Sequence, residues 1–259
     1  MKNLMRTTLA FATALGVAGM AEAKKCPQDS VQVGHLCVDT YEASAWEIPA
    51  SDARLIKKVQ KGKIRSAADL TGAVQRGATG DDYGAACPTN GAGCVNLYAV
   101  SIAGVTPAAF ATWFQAASAC ANAGKRLLTN QEWTVAALGT PDPGPDNGTS
   151  DCNVSSALAV ANTGSRSSCV SSRGVFDMVG NMDEWVADWV PRSTVCAGWG
   201  SFSDDFMCLA GADTAAGPGA LIRGGGFVSG TGAGPLDLVG SFQPSQSAAF
   251  IGFRCAREL

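Results

Sequence analysis

The chain has 259 residues, 46% hydrophobic and 16% charged, with a formal net charge of −3. That is ample for one large globular core and excludes the low-hydrophobicity, high-charge composition of disordered chains. A slightly acidic balance, with Lys and Arg clustered only at Lys57-Lys58 and from Lys61 to Arg65, carries no electrostatic footprint for nucleic acid.

The chain opens with Lys2 and Arg6, an apolar run from Leu9 to Met20, and the small-x-small pattern Ala21-Glu22-Ala23. This is the layout of a secretory signal peptide over residues 1–23, with an apolar run too short to span a bilayer. The expectation is an exported protein, periplasmic or extracellular, with no membrane span after cleavage and one domain over residues 24–259. Ten cysteines fit that compartment, where thiols oxidise. None falls in a CxxC spacing and His35 is the single histidine, so zinc lacks its ligands. Sequence does not define the pairing, but proximity suggests Cys26–Cys37, Cys87–Cys94, Cys152–Cys169 and Cys196–Cys208, leaving Cys120 and Cys255 as a long-range pair.

Val31 to Glu42 alternates apolar and polar residues about a glycine turn and reads as a hairpin. From Trp46 to about Gly104 the composition shifts to a basic, helical stretch (Asp52 to Arg65) and a Gly/Asp/Asn-rich loop (Gly77 to Gly93). We expect residues 46–104 to ride on the surface as an insertion. Thr106 with Pro107 reads as a helix start, with Phe110, Trp113, Phe114, Ala117 and Cys120 at helical spacing and Gly124 as the stop. Thr129 and Glu132 form a capping box for a second helix with an apolar side of Trp133, Val135, Ala136 and Leu138. Between the helices, Lys125 and Arg126 are placed to face carboxylates further on.

Asn147 to Arg173 and Pro191 to Gly219 read as loops, the second rich in aromatics. The segment around which the rest is organised is Gly174 to Trp189, where Phe176, Met178, Trp185 and Trp189 lie beside Asp177, Asp183, Glu184 and Asp188. Carboxylates among so many aromatics cannot be buried unpaired, so a cation or a set of backbone donors is expected there. After the turn at Gly180-Asn181, residues 185–189 alternate as a half-buried strand. Leu221 to Phe227 reads as a strand entering a close backbone contact, and Phe250 to Ala256 as a final strand.

Gly124 to Trp133 (GKRLLTNQEW), Gly174 to Trp185 (GVFDMVGNMDEW), Ile222 to Phe227 (IRGGGF) and Ile251 to Cys255 (IGFRC), in this order, resemble the formylglycine-generating enzyme or sulfatase-modifying-factor family, and Asp39 to Ser44 (DTYEAS) looks like its opening segment. The resemblance implies an α+β, loop-rich variant of the C-type lectin-like fold, with two helices and small antiparallel sheets, and a disulfide between Cys120 and Cys255. It also implies calcium held by the side chains of Asp177 and Glu184 with the carbonyls of Gly180 and Met182. Hard oxygen ligands on a tight turn suit that ion independently. A metal-free alternative has Asp177 capping a turn and Glu184 paired with Arg126, Arg223 or Arg254.

The family's oxidase binds copper through two cysteines, and those positions here are Ser229 and Gly234. Neither supplies the thiolate that copper(I) needs, so no copper and no formylglycine generation are expected. The expected role is binding of a protein or small-molecule ligand, with Arg223 and Ser229 beside the cleft and residues 228–249 as recognition loop. The alternative is an exported oxidoreductase of the same family that works through a carboxylate.

Overall fold

The alternation around Gly34 folds as the expected hairpin in the computed structural model, which describes residues 25–142 and 146–259. The signal peptide read over residues 1–23 lies outside the described residues. In chain order the strands are β1 (Ser30–Val33), β2 (Leu36–Asp39), β3 (Ser44–Glu47), β4 (Val74–Arg76), β5 (Leu97–Val100), β6 (Arg126–Leu127), β7 (Asp183–Arg192), β8 (Met207–Cys208), β9 (Asp213–Arg223), β10 (Leu238–Val239), β11 (Ile251–Phe253) and β12 (Cys255–Glu258). The helices are α1 (Ala53–Gln60), α2 (Trp113–Asn122) and α3 (Asn130–Ala137). The strands form three small sheets, ordered β1-β2-β12-β6, β11-β7-β9-β10-β8 and β4-β3-β5. The result is the loop-rich α+β class expected, with α1 in the basic stretch read as helical beside the family's two helices, and with parallel pairs β11·β7 and β10·β8 among antiparallel ones.

Residues 46–104 do not ride on the surface. Strands β4 and β5 flank β3 in one sheet, and Trp46, Ile48, Leu55, Val59, Leu70, Tyr83, Leu97 and Tyr98 enter the largest core cluster beside Trp185, Ile222 and Phe253. The correction has a simple cause. Polar loop composition between Gly77 and Gly93 hides apolar anchors spaced widely along the chain, and burial of those anchors is what holds the segment.

The first long helix also starts later than its sequence signal. Ala108, Ala109 and Phe110 donate their N–H groups to Ala43, Gly77 and Ala248, tertiary partners that keep the chain out of helix, and Phe110 takes a φ of 57°. Thr112 then caps α2 in a full capping box with Gln115. Its end is as read: Gly124, at φ 70°, lets Lys125 N–H reach Cys120 O at 2.9 Å and Gly124 N–H reach Ala121 O at 2.9 Å, a Schellman closure. The Thr129–Glu132 box opens α3, which buries Trp133, Ala136 and Ala137, while Val135 and Leu138 are exposed rather than core.

Two further expectations change. The loop read over Pro191 to Gly219 holds the outer ends of β7 and β9, paired across irregularities from Trp189↔Ala220 to Arg192↔Asp213. The final strand is two strands: β11 pairs with β7 in one sheet, and β12 pairs with β2 and β6 in another. Arg254 is the single residue between them. The ten cysteines form Cys26–Cys37, Cys87–Cys94, Cys120–Cys255, Cys152–Cys169 and Cys196–Cys208, and none is free. The Cys120–Cys255 bond ties α2 to the start of β12, next to that crossover.

Candidate functional site

Strand β7 presents Asp183 and Glu184 in succession, so the two carboxylates leave the strand on opposite faces. Each enters a different buried polar centre. Glu184 meets Arg254: the guanidinium donates to Oε1 at 2.5 Å and to Oε2 at 2.7 Å, and the Trp133 indole N–H donates to Oε2 at 2.8 Å. Arg254 also donates to the carbonyls of Phe176 (2.9 Å) and Asp177 (3.4 Å). Around this pair lie Glu42, whose Oε2 accepts from Asn181 at 2.6 Å while Oε1 has no partner, and Asp177, whose Oδ2 accepts from Gly164 N–H at 2.8 Å. Burial pushes the Asp177 carboxyl up to about 6 against the pull of the Gly164 N–H and Arg254, and burial with the charges of Asp177 and Glu184 pushes Glu42 well above its usual range.

These contacts test the calcium expectation. Both oxygens of Glu184 are saturated by Arg254 and Trp133, Asp177 takes a backbone N–H, and Gly180 O accepts from Met182 N–H at 2.8 Å. As arranged, Asp177, Gly180, Met182 and Glu184 do not fit a calcium cage, because a guanidinium stands where the divalent charge would act. Among the described residues no group of three or more acidic, histidine or cysteine side chains could hold a metal. Lys125 and Arg126 do not reach this centre. Lys125 is buried between Asp29 (2.7 Å) and Asp39 (2.5 Å), and Arg126 holds Glu132 and Glu258.

The second centre lies at the end of β9. Arg223, only 3% exposed, stacks over the Trp133 ring at 4.6 Å, donates to Asn130 Oδ1 and Thr134 Oγ1, and donates to Pro235 O at 2.8 Å. Trp133 thus joins the centres, bonding Glu184 with its N–H and carrying Arg223 on its face. Beyond Arg223 the glycines 224–226 turn the chain. Gly225 sits at φ 77°, and a Cβ there would lie 2.6 Å from that of Ala233, so only glycine fits. Its N–H donates to Asp183. Close by, Asp237 is fully buried with neither oxygen hydrogen-bonded, and Asp205 accepts Leu236 N–H at 2.7 Å through Oδ2 while Oδ1 has no partner.

Burial, then Glu184, raises Asp183 to about 8; burial, then Asp183, raises Asp237 to about 9 against Arg223, so both acids hold a proton at neutral pH. Burial lowers Arg223 to about 10, opposed by Asp237 and Asp205. Ser229 lies beyond the glycine turn that follows Arg223. Its hydroxyl accepts Gly226 N–H at 3.0 Å and so braces the glycine turn. At Gly234 the space a side chain would take is filled by Asp205, whose Oδ1 lies 2.2 Å from the position of a Cβ.

Sequence reading missed Glu42, Asn181, Asp205 and Asp237. A signal existed for Asp237, a lone carboxylate between Leu236 and Leu238, and for Glu42 within DTYEAS. Asp205, in a loop of mixed composition, carried none.

At the outer end of β7 the surface is aromatic. Trp189, 44% exposed, meets Trp113 and Phe114 edge-to-face at 5.1 and 5.8 Å. Beside it runs a shallow groove of about 410 Å³ lined by Trp189, Val190, Pro191, Thr214, Gly217 and Pro218. Exposed Phe202, Phe206 and Leu209 stand on the neighbouring loop.

Helices α2 and α3, the three small sheets, the cross-chain disulfide and the Arg254–Glu184 centre define a disulfide-pinned lectin-like α+β domain. The profile of the sulfatase-modifying factor enzyme 1-like domain matches residues 19–259, and the chain belongs to that family. Among solved structures, Major Tropism Determinant P3c Variant is 17% identical at a TM-score of 0.47, covering 92% of this chain and 55% of its own. PvdO from Pseudomonas aeruginosa is 20% identical at 0.41, covering 91% of this chain and 90% of its own, and CarF is 16% identical at 0.43, covering 86% of each. This chain spans 38% to 55% of the length of the tropism determinant chains it resembles. No curated protein matches significantly.

Proposed function

We propose that this is an exported recognition domain that binds a protein or small-molecule ligand at the Trp189 groove, on a frame stiffened by five disulfides and by Arg254 in the role of a structural cation. Export is supported by the pairing of all ten cysteines, a state that reducing cytosol does not sustain. Among the described residues no helix is long and apolar enough to cross a membrane. The observation that carries the binding reading is the half-exposed Trp189, held rigid by Trp113 and Phe114 at the wall of an apolar groove. Rigid aromatics at a concave surface are the usual energetic anchors of recognition. Residues 228–249 are partly buried, with Gly232, Ala233 and Asp237 inside and Val228, Thr231, Ser245, Gln246, Ser247 and Ala249 exposed, and the groove itself is lined from β7 and β9.

The test is a glycan and peptide array probed with the mature protein and with W189A, followed by titration of any hit. Truncation of an anchoring Trp is expected to weaken binding by about thirtyfold or more. A ligand that binds W189A as well as the parent overturns the assignment of the groove.

A second reading is favoured by one observation, the pair of buried carboxyls at Asp183 and Asp237 that stay protonated at neutral pH beside Arg223. Such groups are the raw material of general acid catalysis, the proton-transfer part of a carboxylate-dependent mechanism. Against it, Asp237 has no exposed surface for a substrate to touch. Conversion of a peptide or phenolic substrate that is lost in D183N would restore it.

A further inference from the structure

From Ala53 to Arg65 the chain carries six cations and no carboxylate, within a protein of net charge −3. Helix α1 is amphipathic: Leu55 and Val59 are buried, and Arg54, Lys57 and Lys61 are exposed. The chain leaves it through Gly62 at φ 59°, where a Cβ would lie 2.3 Å from Asp29 Oδ1 and 2.6 Å from Pro27 Cβ. That close approach seats Lys61 and Lys63 against the Pro27-Gln28 segment. Between them opens a recess of about 510 Å³, whose polar wall includes Lys58, Lys61, Lys63, Arg65, Gln28 and Asp69.

The single carboxylate of the recess is already committed. Asp69 Oδ2 accepts Arg65 N–H at 2.9 Å, and its Oδ1 lies 3.9 Å from Lys58 Nζ. Several exposed or half-exposed cations elsewhere are matched: Arg76 with Glu47 and Asp82, Arg126 with Glu132 and Glu258, Arg257 with Asp29. Among the described residues no carboxylate lies within 4.0 Å of Arg54, Lys57, Lys61 or Lys63. Self-repulsion among unpaired like charges is a cost that an external anion relieves.

We infer that the α1 face and its recess form a binding surface for a polyanionic carbohydrate bearing phosphate or sulfate esters. Several features select that partner. Lysines predominate, and they meet phosphate or sulfate as point charges without the bidentate geometry of arginine. No exposed aromatic stands among them to stack a nucleobase. No exposed large apolar side chain occurs between residues 53 and 73 to enter a bilayer. The recess admits single ester groups, while Arg54 and Lys57 on the helix extend the track along a polymer.

The experiment uses the mature protein and heparin as the polysulfated probe, by calorimetry at several salt concentrations. The comparison proteins are K57Q/K61Q/K63Q and, as a control, R173Q, which removes an exposed cation elsewhere. The expected result is saturable binding, weakened by salt, that falls about tenfold or more in the triple variant, stays unchanged in R173Q, and is competed by millimolar inorganic phosphate. Equal heparin binding by the triple variant overturns the inference. So does tighter binding of duplex DNA or of phosphatidylglycerol vesicles than of heparin.

Discussion

Replacing Arg254 with Met removes the only cation that, among the described residues, touches Glu184, and preserves most of the side chain's volume. The loss is large because Arg254 and Glu184 are each about 1% exposed, and Glu42 and Asp177 lie in the same centre. Glu184 would retain only the Trp133 indole, and the Phe176 and Asp177 carbonyls would lose their donor. Breaking a buried ion pair from one side costs about 3–5 kcal/mol, because the remaining charge is left unpaired in a low dielectric. For a domain of this size that is a fall in Tm of about 6–20 °C. Equilibrium unfolding in guanidinium under non-reducing conditions measures it, with R254M/E184Q as partner. The double variant should recover part of the loss, a coupling of about 2 kcal/mol or more between the two sites. The same melts with millimolar calcium or with EGTA should coincide for the parent protein if Arg254 is the structural cation. A loss below about 1 kcal/mol in R254M, or a melt that rises with calcium, would refute the reasoning.

Further outcomes follow from other parts of the fold. Asp237 holds its proton up to about 9 in the folded state against 3.8 when unfolded, so it contributes stability that is fully present below its unfolded value and lost as pH rises through the folded one. Stability should therefore decline between about pH 5 and pH 9, and the decline should flatten in D237N; parallel curves for the two proteins would count against a buried neutral acid. At the acid end Glu132, lowered to about 2 mainly by Arg126, gives stability lost as pH falls below its unfolded 4.5, and E132Q should remove that limb of the same titration. Deleting the Cys120–Cys255 bond as C120S/C255S opens a separation of 135 residues and should cost about 5 kcal/mol in the chain-entropy model, read from guanidinium midpoints. G225A must place a Cβ 2.6 Å from Ala233 at φ 77°, with an expected loss of about 2–3 kcal/mol; a midpoint within error of the parent would show that the turn is slack.

Local chemistry was readable wherever one short segment settles its own conformation. The Gly34 hairpin, the basic helix after Asp52, the Thr129–Glu132 box and the Gly124 stop depend on contacts within a few residues, and their signals stand in the order of the letters. The family motifs were equally legible, since each is a compact string. The start of α2 was misplaced because the partners that hold Ala109 and Phe110 out of helix are Gly77 and Ala248, far away in sequence. Residues 46–104 were misjudged for a related reason, their apolar anchors being too sparse to form a local pattern.

The amino-acid sequence by itself determined the family, the α+β class, the capping box of α3 and the presence of an acidic, tryptophan-rich knot that called for a cation or a set of backbone donors. Only the tertiary structure paired Glu184 with Arg254. Arg254 sits where one strand ends in one sheet and the next begins in another, and that crossover aims its guanidinium at Glu184 across 70 residues of chain. The placement of Asp205 and Asp237 around the Gly224–Gly226 turn was likewise beyond sequence. Charge compensation in a dry interior is a matter of distances of a few ångströms, and separation along the chain does not encode them.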